Sequence, residues 1–107
     1  MIRALFICSR NRLRSPTAEQ LFGAWPGVQT DSAGLAADAE VRLSAEQLEW
    51  ATLIFVMDKA QRSKLQRQYR RALAGKRVIC LDIPDNYAFM QAELLVLLHG
   101  RAGRYLR

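Results

Sequence analysis

The sequence predicts an α/β fold, a four-stranded parallel sheet with helices on both faces, in a single domain of residues 1–107. Short apolar segments alternate along the chain with amphipathic helical segments, and right-handed crossovers between such strands produce a parallel sheet. The first segment, Ile2–Cys8, is apolar almost throughout, as expected of a strand that is covered on both sides. A length of 107 residues suits one domain with a core of its own.

The other elements follow from the spacing of apolar residues and from the turn residues between them. Strands are predicted at residues 2–8, 28–33, 52–57 and 77–81. Helices are predicted at residues 16–25, 45–51, 59–74 and 91–99. Functional loops of such folds lie at the carboxyl ends of the strands, so the loops after the first and fourth strands are of most interest.

Capping residues predict where three of these helices begin or end. Ser15 is a good N-cap, and Pro16 suits the first helical position. Ser44 and Gln47 have the spacing of a capping box at the start of the second helix. Gly75 is expected to end the third helix.

The composition excludes several classes of protein. Half of the residues are hydrophobic and 24% are charged, which is typical of a soluble globular domain and not of a disordered or fibrous chain. All apolar runs are too short for a membrane span of about 20 residues. Two cysteines and one histidine match neither a disulfide scaffold nor a zinc site, so we expect no metal and a reducing, cytoplasmic location.

The positive charge is concentrated in residues 59–77, which hold eight Lys and Arg and no acid, in a chain of net charge +6. Such a run is typical of a solvated helix face, which is the first interpretation. The second interpretation is a docking surface for an acidic partner, and nucleic acid ranks below that as a partner.

The loop after the first strand carries the residues with the clearest chemistry. Five residues separate Cys8 from Arg14, between a strand end and a helix start. A loop entering a helix directs backbone N–H groups into one concavity, and this field stabilises a thiolate at Cys8. Arg14 can bind two oxygens of a tetrahedral oxyanion with its planar guanidinium. Together they predict a nucleophile that accepts a phosphoryl group, with Ser15 donating a hydrogen bond to the sulfur.

This segment, Cys8 to Arg14 followed by Ser15 and Pro16, resembles the phosphate loop of low-molecular-weight protein tyrosine phosphatases. The resemblance continues in order through Ser32-Ala33-Gly34, Met57-Asp58 and Ile83-Pro84-Asp85-Asn86-Tyr87, where Asn86 replaces a Pro of the family's acid loop. It implies a phosphotyrosine phosphatase I-like (flavodoxin-like) three-layer sandwich. The chain looks like a shortened member that lacks about one helix between Gly34 and Leu43.

The resemblance implies a two-step hydrolysis that needs no cofactor. Cys8 would attack phosphorus while Asp85 protonates the leaving oxygen, and Asp85 would then activate water to hydrolyse the phosphocysteine. Ser15 would assist departure of the thiolate, and Tyr87 would form one wall for the substrate ring. The implied phosphate-binding residues are Ser9, Arg10, Asn11, Arg12, Leu13 and Arg14, with Asn11 also bracing the loop.

Three questions stay open at this point. Asp82, nearer to the fourth strand, is a rival to Asp85 as the general acid. Arg10 and Arg12 stand where the family has small apolar residues, so a small, multiply anionic phosphomonoester is a candidate substrate beside phosphorylated protein. A non-catalytic module that binds phosphate or a phosphoprotein is the alternative function. An arsenate reductase relative ranks lower, because Cys80 is the only other thiol.

Overall fold

The computed structural model describes all 107 residues, and its four strands form one parallel sheet in the order β2-β1-β3-β4. The strands are β1 (Ile2–Cys8), β2 (Val28–Gly34), β3 (Leu53–Val56) and β4 (Val78–Cys80). Each predicted strand is found, with ends within one residue of those expected. The predicted fold is confirmed, and the central strand β1 is the one that leads into the cysteine loop.

Helices cover both faces of this sheet and complete the three layers. They are α1 (Arg14–Gly23), α2 (Ala45–Trp50), α3 (Lys59–Gln68) and α4 (Ala92–Ala102), followed by a short 3-10 helix (Gly103–Tyr105). None of these helices has both the length and the apolar character that crossing a bilayer demands.

Two apolar cores lie on opposite faces because successive side chains of a strand point in opposite directions. On one face Phe6 of β1 stacks between Phe22 of α1 and Phe55 of β3, with ring centroids 5.6 and 4.9 Å away. On the other face its neighbours Leu5 and Ile7 pack in the core shared with α2 and α3. Both faces of β1 are therefore buried, which holds the end of this strand rigidly in place.

The start of α1 corrects one prediction. The helix begins at Arg14, Leu13 occupies the cap position, and no side chain caps it, so Ser15 as N-cap is wrong. The Ser15 hydroxyl lies inside the first turn and contacts Cys8 Sγ at 2.9 Å instead. Because Arg14 is already helical, Ser15 is the second residue of α1 and cannot be its N-cap.

The length of α3 corrects a second prediction, since the helix ends at Gln68 instead of residue 74. Arg67, Arg70 and Arg71 would be helical neighbours, and like charges at this spacing destabilise a helix. Tyr69 follows the helix, and its hydroxyl donates to the Leu43 carbonyl at 2.8 Å. The chain leaves the helix at this tyrosine and turns toward β4.

The ends of the other helices lie closer to the predicted positions. α1 ends at Gly23, ahead of Pro26, and α4 continues past residue 99 to Ala102. The capping box of α2 is confirmed: Gln47 N–H donates to Ser44 Oγ at 3.3 Å, and Ser44 N–H donates to Gln47 Oε1 at 3.1 Å.

Candidate active site

A cavity of about 280 Å³ opens at the carboxyl end of β1, where sequence analysis placed the chemistry. All of its lining residues except one come from the end of β1, the loop after it and the start of α1. The lining residues are Cys8, Ser9, Arg10, Arg12, Leu13, Arg14 and Asp85. The structure thus brings the predicted nucleophile, most of the predicted phosphate-binding residues and one candidate acid into a single site.

Backbone N–H groups supply the first anion-binding feature of this cavity. Those of Ser9, Arg10, Arg12 and Leu13 donate no hydrogen bond within the chain, whereas that of Asn11 donates to Cys8 Sγ at 3.2 Å. Free N–H groups beside a helix N-terminus, where the helix dipole is positive, favour a bound anion. The loop can therefore surround a tetrahedral oxyanion next to the sulfur.

Asn11 gives the loop its curvature. Its φ of 57° is in the left-handed region, which Asn tolerates better than most residues. Its buried side-chain amide donates to Ser15 Oγ and to Ser32 Oγ, each at 2.9 Å. Asn11 therefore ties the loop both to α1 and to the neighbouring strand β2, as the resemblance implied.

The same network sets the direction of the hydrogen bond on the sulfur. Ser32 donates to the Glu19 carboxylate, which can only accept, and Ser15 Oγ receives an amide proton from Asn11. The Ser15 hydroxyl proton is then free for Cys8 Sγ at 2.9 Å, since its other acceptor, the Ala33 carbonyl, is 3.5 Å away. A hydrogen bond donated to the sulfur stabilises the thiolate.

Arg14 is buried, with only 5% of its surface exposed, and three contacts hold its guanidinium in place. Its Nη1 donates to the Ile83 carbonyl at 2.8 Å and lies 3.3 Å from Asp58 Oδ2. Its Nε lies 3.5 Å from Asp85 Oδ1. A buried charge is tolerated when it is paired and hydrogen-bonded, and these contacts fix the guanidinium at the cavity wall.

Sequence reasoning missed the parts played by Asp58 and Gln61. Asp58 caps α3, because its Oδ1 accepts the Gln61 N–H at 2.9 Å, and its other oxygen faces Arg14. Gln61 is buried; its side chain accepts from Met57 N–H at 2.9 Å and donates to Ser9 Oγ at 3.3 Å. The sequence did hold a signal, since an Asp three residues before a Gln at the end of a strand has capping-box spacing.

The geometry separates the two rival acids. Asp85 lines the cavity with a side chain that is 61% exposed and contacts Arg14. Asp82 does not line it: its backbone has a φ of 53°, and its carboxylate lies 3.5 Å from Cys80 Sγ. Of the two, Asp85 alone lines the cavity and contacts Arg14.

Three further residues at or near the rim bear on the substrate. Arg10 Nε is 3.9 Å from Asp38 and Arg12 Nε is 3.3 Å from Glu40, and all four side chains are about half exposed. Tyr87 packs partly buried against the core that contains Phe6 and does not line the cavity. Its role as a wall for a substrate ring stays a prediction.

The second cysteine differs from the first. Cys80 is half-buried at the end of β4, and burial raises the pKa of its thiol, although a backbone hydrogen bond involving Asp82 acts in the opposite direction. A raised pKa leaves less thiolate at neutral pH, which makes Cys80 a poor nucleophile.

The sheet order and the loop of residues 8–14 between β1 and α1, which we call the oxyanion loop, define a class of fold, that of the low-molecular-weight tyrosine phosphatases. YwlE arginine phosphatase from Geobacillus stearothermophilus matches with a TM-score of 0.78 and 23% identity, over 98% of this chain and 93% of that one. The tyrosine phosphatase Wzb from Escherichia coli K30 matches with a TM-score of 0.78 and 23% identity, over 99% of this chain and 97% of that one. A low molecular weight protein tyrosine phosphatase from Streptococcus pyogenes, SP-PTP, matches with a TM-score of 0.80 and 14% identity, over 99% of this chain and 91% of that one. No protein-family model and no curated protein matches the chain.

Proposed function

We propose that this protein is a cysteine-dependent phosphatase that hydrolyses phosphomonoesters, with protein phosphotyrosine as the expected substrate. One observation carries the proposal: Cys8 Sγ lies in a cavity lined by free backbone N–H groups and by the buried Arg14, and the Ser15 hydroxyl is oriented toward it. That several structures with the same fold are phosphatases adds support.

In the first step the Cys8 thiolate attacks phosphorus, an S–P bond forms, and the bond to the leaving oxygen breaks. Asp85, at the cavity mouth, gives its proton to that oxygen. The transition state of such a transfer is loose, and its charge is spread over three equatorial oxygens. The loop N–H groups and Arg14 are fixed before the substrate arrives, which is the condition for effective stabilisation of that charge.

In the second step water attacks the phosphocysteine and the Asp85 carboxylate takes its proton. The S–P bond breaks, inorganic phosphate leaves and the thiolate returns. The hydrogen bond from Ser15 stabilises the sulfur as it departs. We place this chemistry in the reducing cytoplasm as part of the same proposal, since both cysteines are free thiols.

The test is hydrolysis of an aryl phosphate in the presence of a chelator. We expect turnover by the wild type, none by Cys8→Ser, and full turnover by the matched control Cys80→Ser. Asp85→Asn should lower kcat by about 100-fold or more, as is typical for loss of a general acid, and Asp82→Asn should not. Full activity in Cys8→Ser would overturn the proposal. Phosphate binding without turnover, unchanged in Asp85→Asn, would instead indicate a non-catalytic binding module.

A further inference from the structure

The cations of α3 and of the turn after it are not used by the proposed reaction. None of the four ion pairs in the structure involves residues 59–77. Two of the eight cations there have neutral contacts: Lys76 donates to backbone carbonyls at 2.8 Å, and Arg77 lies over the Tyr105 ring at 5.1 Å. The remaining six have neither an acid nor a hydrogen-bond partner within the chain. We call them the basic ridge: Lys59, Arg62, Lys64, Arg67, Arg70 and Arg71.

Folding does not require this ridge. α3 buries only Gln61 and Leu65, so its core contacts do not depend on the cations. Lys64 and Arg67 are three residues apart, as are Lys59 and Arg62, and like charges at this spacing destabilise a helix. Exposed helices that are stabilised by ion pairs alternate the signs of their charges, whereas the ridge carries only one sign. The ridge therefore keeps its positive charge at a cost in stability.

The ridge is continuous with the candidate active site. Asp58, the cap of α3, contacts Arg14, and Gln61 in the first turn donates to Ser9 of the oxyanion loop. From that point the ten residues of α3 extend about 15 Å away from the cavity. An extended peptide crosses that distance in roughly five residues. The exposed side carries a shallow groove lined by Ser63, Gln66, Arg67 and Arg70.

We propose that the basic ridge binds an acidic segment of a protein substrate, within about five residues of the phosphorylated side chain. This inference rests on the proposed function, because the phosphate must occupy the cavity for its flank to lie on α3. Carboxylates suit the ridge, since guanidinium groups bind them with directed hydrogen bonds. Nucleic acid fits less well. Tyr69 is the only aromatic residue in 59–77, and it packs against the core, so the ridge has no row of exposed aromatic rings on which bases could stack.

The test compares two phosphotyrosine peptides that differ only in their flanks, which carry five Glu or five Gln on each side. At low salt we expect kcat/KM of the wild type to be about tenfold higher for the Glu peptide, and the preference to fade as salt screens the charges. In R67E/R70E the ratio should fall to near one while the Gln peptide is hydrolysed as before. R67Q/R70Q, which is less disturbing to the fold, should give an intermediate ratio.

The matched control is R104E/R107E, which makes the same change of charge at two exposed arginines outside the ridge. It should keep most of the preference, and thermal unfolding checks that each variant is folded. Equal kcat/KM for both peptides in the wild type would overturn the ridge as a docking surface. An undiminished preference in R67E/R70E would do the same.

Binding separates failure of this inference from failure of the proposed function. Fluorescence anisotropy of labelled peptides with Cys8→Ser needs no turnover, and the Glu peptide should bind about tenfold more tightly at low salt. If the wild type hydrolyses no phosphate ester but this preference persists, the proposed function fails, and the ridge stands only as a binding surface for an acidic segment of a phosphorylated partner. Turnover without tighter binding of the Glu peptide would overturn the docking role of the ridge and leave the proposed function intact. Competition by a single-stranded oligonucleotide that is as strong as by the Glu peptide would overturn the assignment to an acidic protein segment.

Discussion

The oxyanion loop and the basic ridge, which starts beside it and runs away along α3, both concentrate positive charge, but they hold it in opposite ways. In the loop, Arg10, Arg12 and Arg14 each face a carboxylate, and no buried side-chain polar atom of the chain lacks a partner. In the ridge, six cations on ten-residue α3 and the turn after it face no acid at all.

This difference separates two uses of charge. Stabilising a transition state requires groups that are fixed before the reaction, and each contact in the loop removes freedom from a group at the cavity. Attracting a charged partner requires only net potential over a surface, which flexible and unpaired side chains supply. Rigidity should therefore decide the effect of substitutions in the loop, and screening by salt should decide it in the ridge.

Gly34→Ala should break the rigid region most severely. An ideal Cβ at Gly34 would lie 2.5 Å from Ala39 Cβ and 2.6 Å from the Ser9 carbonyl oxygen. Hydrogen bonds of 2.8 Å to Val41 and 2.9 Å from Leu43 hold the Gly34 backbone, so it cannot move aside. We expect the free energy of unfolding to fall by about 3 kcal/mol, measured by chemical denaturation, and turnover to be lost.

Gly100→Ala is the control for that substitution. Gly100 lies within α4 with nothing within 4 Å of an added Cβ, so Ala there should stabilise the protein by about 0.5 to 1 kcal/mol. Equal stabilities for the two variants would show that Gly34 is not packed as tightly against Ala39 and Ser9 as these distances indicate.

Asn11→Gly should come second, because Gly keeps the left-handed backbone but removes the amide that orients Ser15 and Ser32. The expected loss is about 2 kcal/mol in unfolding free energy. Asn11→Ala should lose roughly 1 kcal/mol more, because its Cβ makes the left-handed conformation strained. Denaturation curves of both variants measure the two contributions. Equal stabilities of Asn11→Gly and Asn11→Ala would contradict the backbone strain expected of Ala. A stability of Asn11→Gly equal to that of the wild type would contradict the contribution of the hydrogen bonds to Ser15 and Ser32.

The same two regions show how far the sequence alone could lead. Cys8 and Arg14 could be located because they follow the carboxyl end of a strand whose position is clear from its apolar run. Asp85 could not be separated from Asp82 in this way, because both follow the fourth strand and only the cavity lining distinguishes them. The sequence offered Ser15 both as a donor to Cys8 and as the cap of α1. The start of the helix at Arg14 excludes the cap, and the distance of 2.9 Å to Cys8 Sγ supports the donor role. The end of α3 was misplaced since apolar spacing continues past Gln68, while repulsion among Arg67, Arg70 and Arg71 acts against the helix.

Asp58 joins the two regions, and its substitutions separate its two roles. Asp58→Ala removes the cap of α3 and the partner of Arg14, and should cost about 1 kcal/mol of unfolding free energy. Asp58→Asn keeps a capping oxygen but removes the charge, so its stability should stay near that of the wild type. Both variants should lose turnover of an aryl phosphate, about tenfold, because Arg14 is less firmly oriented. If Asp58→Asn lost as much stability as Asp58→Ala, the contribution of Asp58 to stability would not come from capping α3.

Ser63→Glu should have the smallest effect, and it tests whether repulsion among the cations of the basic ridge lowers stability. Ser63 is exposed on α3, with Lys59 four residues before it and Arg67 four residues after it. A carboxylate there relieves repulsion between cations and should stabilise the protein by about 0.3 to 0.5 kcal/mol at low salt. Ser63→Gln, which has the same size and no charge, is the control, and the difference between the two should vanish as salt screens it. Since the added charge also neutralises part of the ridge, this gain in stability should accompany a weaker preference for the Glu peptide. A gain in Ser63→Gln as large as that in Ser63→Glu would show that helix propensity, and not unrelieved charge, sets the stability of α3.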